Sequence, residues 1–270
     1  MRKQSFILKG DICFSKNKDE IKNIHDGYVV CVDGISQGAY KKLPEEYKDL
    51  ELIDYSGKLI LPGLVDLHVH APQFSYRGLG MDLELIDWLN TYTFPQEAKY
   101  EDVNYAKNMY QRFVDDVKRG PNTRSVVFAT LHVESTIELM DIFEKSGMVS
   151  YIGKVNMDRN GSENLQEESA NQSAKDTIRW IESIQDRYER TFPIITPRFT
   201  PSCSDDLMRQ LSIIRKKYNL KVQSHLSENQ GEIKWVSELC PYTQFYGQAY
   251  SKFNMFGGDC PTVMAHCVWS

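Results

Sequence analysis

The chain has 270 residues, with 32 basic and 37 acidic side chains and a formal net charge of −5. The mild acidic excess lacks the basic face or stripe of a nucleic-acid binder. No apolar run approaches the roughly 18 residues that span a bilayer, so no membrane partner is expected. The length suits one large domain or two modest ones and supports a sizeable core.

The N-terminal stretch, residues 1–10, has too short an apolar run for a secretory signal, and a cytoplasmic location is the expectation. The cysteines Cys13, Cys31, Cys203, Cys240, Cys260 and Cys267 form no CxxC pair. In a long chain without a secretory signal they read as free, mostly buried thiols. Residues 1–61 read as short strands of a small β-sandwich-like domain: Phe6-Ile7-Leu8, residues 28–32 and residues 50–53, punctuated by Gly27, Gly34, Gly38 and Gly57. An apolar run from Leu59 to Val65 reads as a strand that ends in Asp66-Leu67-His68-Val69-His70.

From about residue 62 the pattern changes to strands alternating with helices. Strands are expected at 64–70, 125–132, 149–158, 193–199, 220–225 and 261–268. Val103, Ala106, Tyr110, Phe113, Val114 and Val117 form one helical stripe, closed by Gly120-Pro121. Ile137, Met140 and Phe143 form a second, closed by Gly147. Leu207, Leu211, Ile214 and Tyr218 form a third, opened by Ser204. The polar stretch 159–173 reads as a solvated loop leading into a helix that continues over 177–188. Strand-helix alternation of this kind gives a parallel sheet, open or closed into a barrel.

The histidines carry the chemistry. Successive strand side chains point to opposite faces, so His68 and His70 share one. His132, His225 and His266 also fall at or near predicted strand ends, where open α/β sheets and barrels build their sites. Neutral imidazole is a common metal ligand, and three of them suit zinc, with iron(II) possible. His68, His70 and His225 are the ligand candidates. Glu228 and His266 suit acid-base work beside them. His132 is equally well a structural histidine, and His25 a surface one. A bound zinc can lower the pKa of water from 15.7 to about 7, so hydrolysis is the chemistry expected.

The segment from Pro62 to His70 resembles the opening strand of the amidohydrolase superfamily, and residues 1–61 resemble its small flanking domain. Narrower segments are similar to the guanine deaminases: His70-Ala71-Pro72-Gln73, Tyr92-Thr93-Phe94-Pro95, Thr196-Pro197-Arg198-Phe199, Ser202-Cys203-Ser204, the run Gln223 to Asn229, and Met264-Ala265-His266-Cys267. The resemblance implies a (β/α)8 metal-dependent hydrolase barrel over 62–270 and one zinc per chain on His68, His70 and His225. It further implies a purine held by Gln73, Arg198 and Phe199, Glu228 shuttling protons to the ring, His266 positioning the hydroxide, and a homodimer. The reaction implied is hydrolysis of guanine at C2 to xanthine and ammonia, in purine catabolism. Arg198 suits this substrate, since its donors match O6 and N7 of an oxo-purine, and Phe199 offers a face for stacking.

The sequence stops at Val268-Trp269-Ser270, ahead of two further barrel strands that the resemblance implies, one of them bearing a metal-binding aspartate. About six of eight strands are therefore expected, with an open edge, weak metal binding and little turnover, the intact parent being the enzyme. Another amidohydrolase acting on a different aminated heterocycle, or a non-catalytic metal-binding or assembly fragment, are the alternatives.

Overall fold

Strands β1 (Phe6–Ser15), β2 (Ile21–Val32), β3 (Ile35–Tyr40) and β4 (Glu51–Ile60) form one sheet in the order β3-β2-β1-β4. The computed structural model describes residues 5–269 and divides into two units, this sheet lying in the first, which ends at Gly63. The β2–β3 hairpin was not expected from the sequence. It turns at Asp33-Gly34, both with positive φ (51° and 78°), the backbone that an Asp-Gly hairpin loop provides. Ile7, Ile12, Ile24 and Val30 are buried in this unit. His25 is exposed and pairs with Asp11 at 2.5 Å.

The apolar run from Leu59 to Val65 is not one strand. β4 ends at Ile60 and β5 (Leu64–His70) begins four residues later. Pro62 between them has no N–H for a ladder bond and a fixed φ, which breaks the run.

The second unit, from Leu64 onward, contains β5, β6 (Asn122–Phe128), β7 (Val149–Gly153), β8 (Val155–Asn156), β9 (Thr191–Pro193), β10 (Thr196–Pro197), β11 (Val222–Leu226) and β12 (Thr262–His266). Every pairing among them is parallel: β5-β6-β7-β9, β8-β10 and β11-β12. A parallel bridge between Ile195 and Val222 joins the fourth stave to the fifth. Six staves thus stand at the six predicted places, with the third and fourth each broken in two. Pro193 and Pro197 cannot donate to a ladder, which accounts for the fourth. Among the described residues β5 pairs only with β6 and β12 only with β11. Leu64, Val65 and Leu67 on β5 are about half exposed.

The helices are α1 (Leu85–Trp88), α2 (Phe94–Glu97), α3 (Val103–Arg119), α4 (Val133–Ser146), α5 (Ala170–Ser183), α6 (Asp205–Tyr218), α7 (Gln230–Leu239) and α8 (Gly247–Ser251). Side-chain caps fix their starts: Asp102 before α3, Ser169 before α5, Ser204 before α6, and an Asn229/Glu232 capping box on α7. The three predicted stripes face one core, which includes Ala106, Tyr110, Met140, Phe143, Leu207 and Leu211, except that Val103 at the start of the first is exposed. α5 stops at Ser183, short of the expected 188.

A smaller cluster of Leu89, Phe94, Phe128, Val155, Met157, Leu165 and Phe199 gathers around the C-terminal strand ends. Here the expected solvated loop 159–173 is corrected, since Leu165 and Glu167 are buried. Glu167 accepts from Lys154 Nζ at 2.5 Å and from the Met157 amide at 2.9 Å. The side chains of this ion pair are 0% and 4% exposed, so the loop is anchored to the break between β7 and β8. Removing one partner of such a pair leaves an unpaired buried charge, at a cost of about 3–5 kcal/mol. Glu167→Ala is expected to lose about that much stability in denaturant unfolding, with Lys154→Met/Glu167→Leu recovering most of it. A loss below about 1 kcal/mol for the single change would contradict the anchoring role.

Candidate functional site

The alternation of β5 places His68 and His70 on one face, and β11 brings His225 to them. One ligand nitrogen from each lies within 4.8 Å of the others. Nε2 of His70 and Nε2 of His225 are 2.9 Å apart. His225 Nδ1 is 2.5 Å from the carbonyl oxygen of Arg198. A carbonyl only accepts, so Nδ1 carries the proton and Nε2 keeps its lone pair toward His70. Phe128, at the end of β6, stacks on the His70 ring (4.5 Å, 23°) and meets His68 edge-on (5.1 Å, 86°).

Burial pushes the His68 imidazole down to about 4, helped by His266. Burial likewise holds His70 and His225 well below the usual 6.5, and neighbouring imidazoles push the same way. At neutral pH all three are therefore uncharged, the form that ligates metals. Nδ1 of His68 and of His70 are buried without a hydrogen-bond partner among the described residues. Two lone pairs 2.9 Å apart repel unless a cation or proton lies between them. The residues fit a divalent cation, and three imidazole nitrogens are a donor set for zinc or iron(II).

Beyond the strands, the chain bends sharply. Ser227, His266 and Cys267 adopt left-handed φ of 52°, 71° and 53°. Such backbone in non-glycine residues costs of order 1–3 kcal/mol each and collects at functional sites. Bonds from Cys267 N to Leu226 O (2.8 Å) and from Val268 N to Ser227 O (3.1 Å) hold it in place. The bends carry Glu228 Oε2 to within 3.3 Å of His266 Nε2. Burial first, and the Glu232 carboxylate second, push the Glu228 carboxyl up to about 7, against the pull of Arg198. Glu232 is itself fully buried and accepts from the amides of Glu228 and Asn229 and from the Tyr246 hydroxyl.

Gln73 follows His70 in the short 3-10 helix Ala71–Tyr76, and Arg198 and Phe199 follow β10. A cavity of about 120 Å³ is lined by His68, His70, Gln73, Arg198, Phe199, His225, Glu228 and His266, with Leu85, Trp88 and Leu89. All the predicted ligand, acid-base and binding residues meet there. His132 does not line it. It lies four residues past the end of β6 as the N-cap of α4, with a buried Nε2 lacking a partner among the described residues. The expected strand over 125–132 ends at Phe128, since Ala129 onward turns into that cap.

One partner was missed in the sequence. Arg198, 2% exposed, gives one donor from each Nη to Glu97, at 2.6 and 3.1 Å. Its guanidinium carbon lies 5.2 Å over the Phe94 ring. Only the remaining donors of Arg198 are open to a ligand. A buried arginine calls for an acid, but nothing local singles out Glu97, 101 positions away in sequence.

Residues 59–270 match the amidohydrolase family. The chain is 38% identical to guanine deaminase of Rattus norvegicus over 254 residues, covering 92% of this chain and 55% of that protein. It is 35% identical to guanine deaminase of Escherichia coli over 263 residues, covering 93% and 58%. A crystal structure of guanine deaminase from C. acetobutylicum with guanine bound in its active site superposes with a TM-score of 0.94 at 46% identity. It covers 99% of this chain and 63% of that one. The chain thus spans about half the length of the curated relatives it matches. The strand-helix unit is of the (β/α)8 hydrolase-barrel type, preceded by a small β sheet.

Three imidazoles, two buried and one partly buried, held below their unfolded pKa carry a stability signature. Below pH 6.5 the unfolded chain takes up protons that the folded one refuses, so folding weakens as pH falls from about 6.5 toward 4. The chelator-treated protein is expected to melt at steadily lower temperature across that window. A melting temperature that is flat or rises as pH falls would contradict the buried, neutral cluster.

Proposed function

The chain belongs to the amidohydrolase family, and from that premise we propose that it carries the metal- and substrate-binding part of a hydrolase that converts guanine to xanthine and ammonia. The observation that supports this most is the single cavity in which three neutral imidazoles, a carboxyl poised near 7 and a buried guanidinium meet. The similarity to guanine deaminases, one of them with guanine bound, agrees with it.

In this reading His68, His70 and His225 hold one zinc, with iron(II) compatible with the same donors. The bound metal supplies a Lewis acid that makes water nucleophilic at neutral pH. The free donors of Arg198 meet O6 and N7 of the purine, Gln73 offers a donor and an acceptor to the ring edge, and Phe199 stacks on its face. Leu85, Trp88 and Leu89 limit the water around the ring.

Glu228, about half protonated near pH 7, gives its proton to ring nitrogen N3, which draws electron density from C2. His266, 3.3 Å from Glu228, orients the attacking water. Its oxygen bonds to C2 and its proton returns to Glu228, which passes it to the exocyclic nitrogen. The C2–N bond then breaks, ammonia leaves, and the proton left on the added hydroxyl returns to Glu228 as C2 keeps the oxygen as the second carbonyl of xanthine. Purine catabolism, a cytoplasmic location and a homodimer belong to the same proposal. Among the described residues no helix is long and apolar enough to cross a membrane.

The test is turnover of guanine by the longest natural product that contains this sequence, supplied with zinc. Xanthine and ammonia are expected in equal amounts, with adenine untouched; ammonia from adenine and none from guanine would sink the substrate assignment. Because the proton on Glu228 is spent, kcat is expected to fall as pH rises through about 7. Glu228→Gln is expected to lower kcat by about 10²–10⁴-fold with melting temperature retained. An unchanged kcat would remove Glu228 from the proton path.

A further inference from the structure

We propose that Glu97 sets the charge preference of the Arg198 subsite, cancelling the guanidinium charge so that the cavity accepts a neutral oxo-purine and turns away anionic purines. The inference rests on the functional reading above and deepens it. Glu97 does not line the cavity, so it acts through Arg198 as a positioning residue.

Three observations carry the argument. Both partners are buried, Glu97 at 1% and Arg198 at 2% exposure, so water screens neither charge. The contact is forked, Nη1 to Oε2 at 2.6 Å and Nη2 to Oε1 at 3.1 Å, which fixes the plane of the guanidinium. The Phe94 ring, one turn earlier in α2, supports its face, with the guanidinium carbon 5.2 Å from the ring centroid. The arginine is thus held by one edge and one face, and its remaining donors have a fixed direction. The main chain is fixed as well, because Arg198 N donates to Asn156 O at 3.1 Å and Arg198 O accepts from His225.

The electrostatic consequence follows. A lone buried guanidinium would draw an anion into the cavity to offset its charge. Paired with Glu97 it presents hydrogen-bond donors with little net charge. Such donors favour a carbonyl oxygen and a ring nitrogen on a neutral base. A purine that has lost a proton gains no ion pair there. Its negative charge would also face the Glu97 carboxylate just behind the guanidinium.

The test uses equilibrium binding of two oxo-purines to the zinc-loaded longest natural product. Hypoxanthine is neutral at pH 7 and urate is a monoanion. Wild-type protein is expected to prefer hypoxanthine. In Glu97→Gln the amide keeps the shape and loses the charge, and the ratio of the two dissociation constants is expected to move toward urate by about tenfold or more. If both affinities fall by the same factor, or neither changes, the charge role is overturned. Should Glu97→Gln fail to fold, Glu97→Asp decides. It keeps the charge but shortens the reach, so hypoxanthine binding should weaken while the preference over urate persists; unchanged hypoxanthine binding overturns the proposal. Wild-type protein that neither deaminates guanine nor binds hypoxanthine overturns the functional reading and this inference together. Wild-type turnover with an unshifted ratio in Glu97→Gln overturns only the role of Glu97.

Discussion

The hydrogen bond from His225 Nδ1 to the carbonyl of Arg198 is the contact on which the rest of the cavity depends. It selects the imidazole tautomer, so that Nε2 is free to face His70. It also ties β11 to the segment after β10, whose next side chains are those of Arg198 and Phe199 themselves. Tyr250 reinforces the joint from α8. Its hydroxyl donates to the His225 carbonyl at 2.7 Å and accepts from the Thr200 amide at 3.1 Å. The proposed metal ligand His225 and the proposed substrate-reading Arg198 therefore share one rigid backbone junction, and neither can shift without the other.

The same cavity separates protonation states by environment. Burial strips the proton from the three imidazoles and raises the Glu228 carboxyl to about 7, where it is half protonated at neutral pH. Both shifts disfavour charge in a place from which water is largely removed. Arg198 stays charged there because Glu97 pairs with it, the one arrangement in which a buried cation is tolerated. Neutral imidazoles, a half-protonated acid and a neutralised donor fork are what the proposed hydrolysis of an uncharged base calls for.

Much of this was legible where a residue's neighbours in sequence decide its role. The period of two in His68-Val69-His70 placed both rings on one face, and the apolar stripes with their caps placed α3, α4 and α6. The strand-end positions of His225 and His266 pointed to the cavity. What escaped was decided by residues far apart. Pro193 and Pro197 break the fourth stave, and the buried Lys154–Glu167 pair turns a polar stretch into an anchored loop. His132 looked like a strand end but caps α4, because β6 stops at Phe128. Glu97 carries no local mark of its pairing with Arg198, and the left-handed bends at Ser227 and His266 arise from bonds between strand ends. A resemblance over nearly the whole chain supplied the proposed substrate, which spacing and composition did not.

The histidine centre is tested most directly by X-ray absorption at the zinc edge of the zinc-loaded protein. A first shell dominated by about three imidazole nitrogens at roughly 2.0–2.1 Å is the expected result. A shell with sulfur at about 2.3 Å, or one of oxygens without imidazole scattering, would contradict a metal held by His68, His70 and His225.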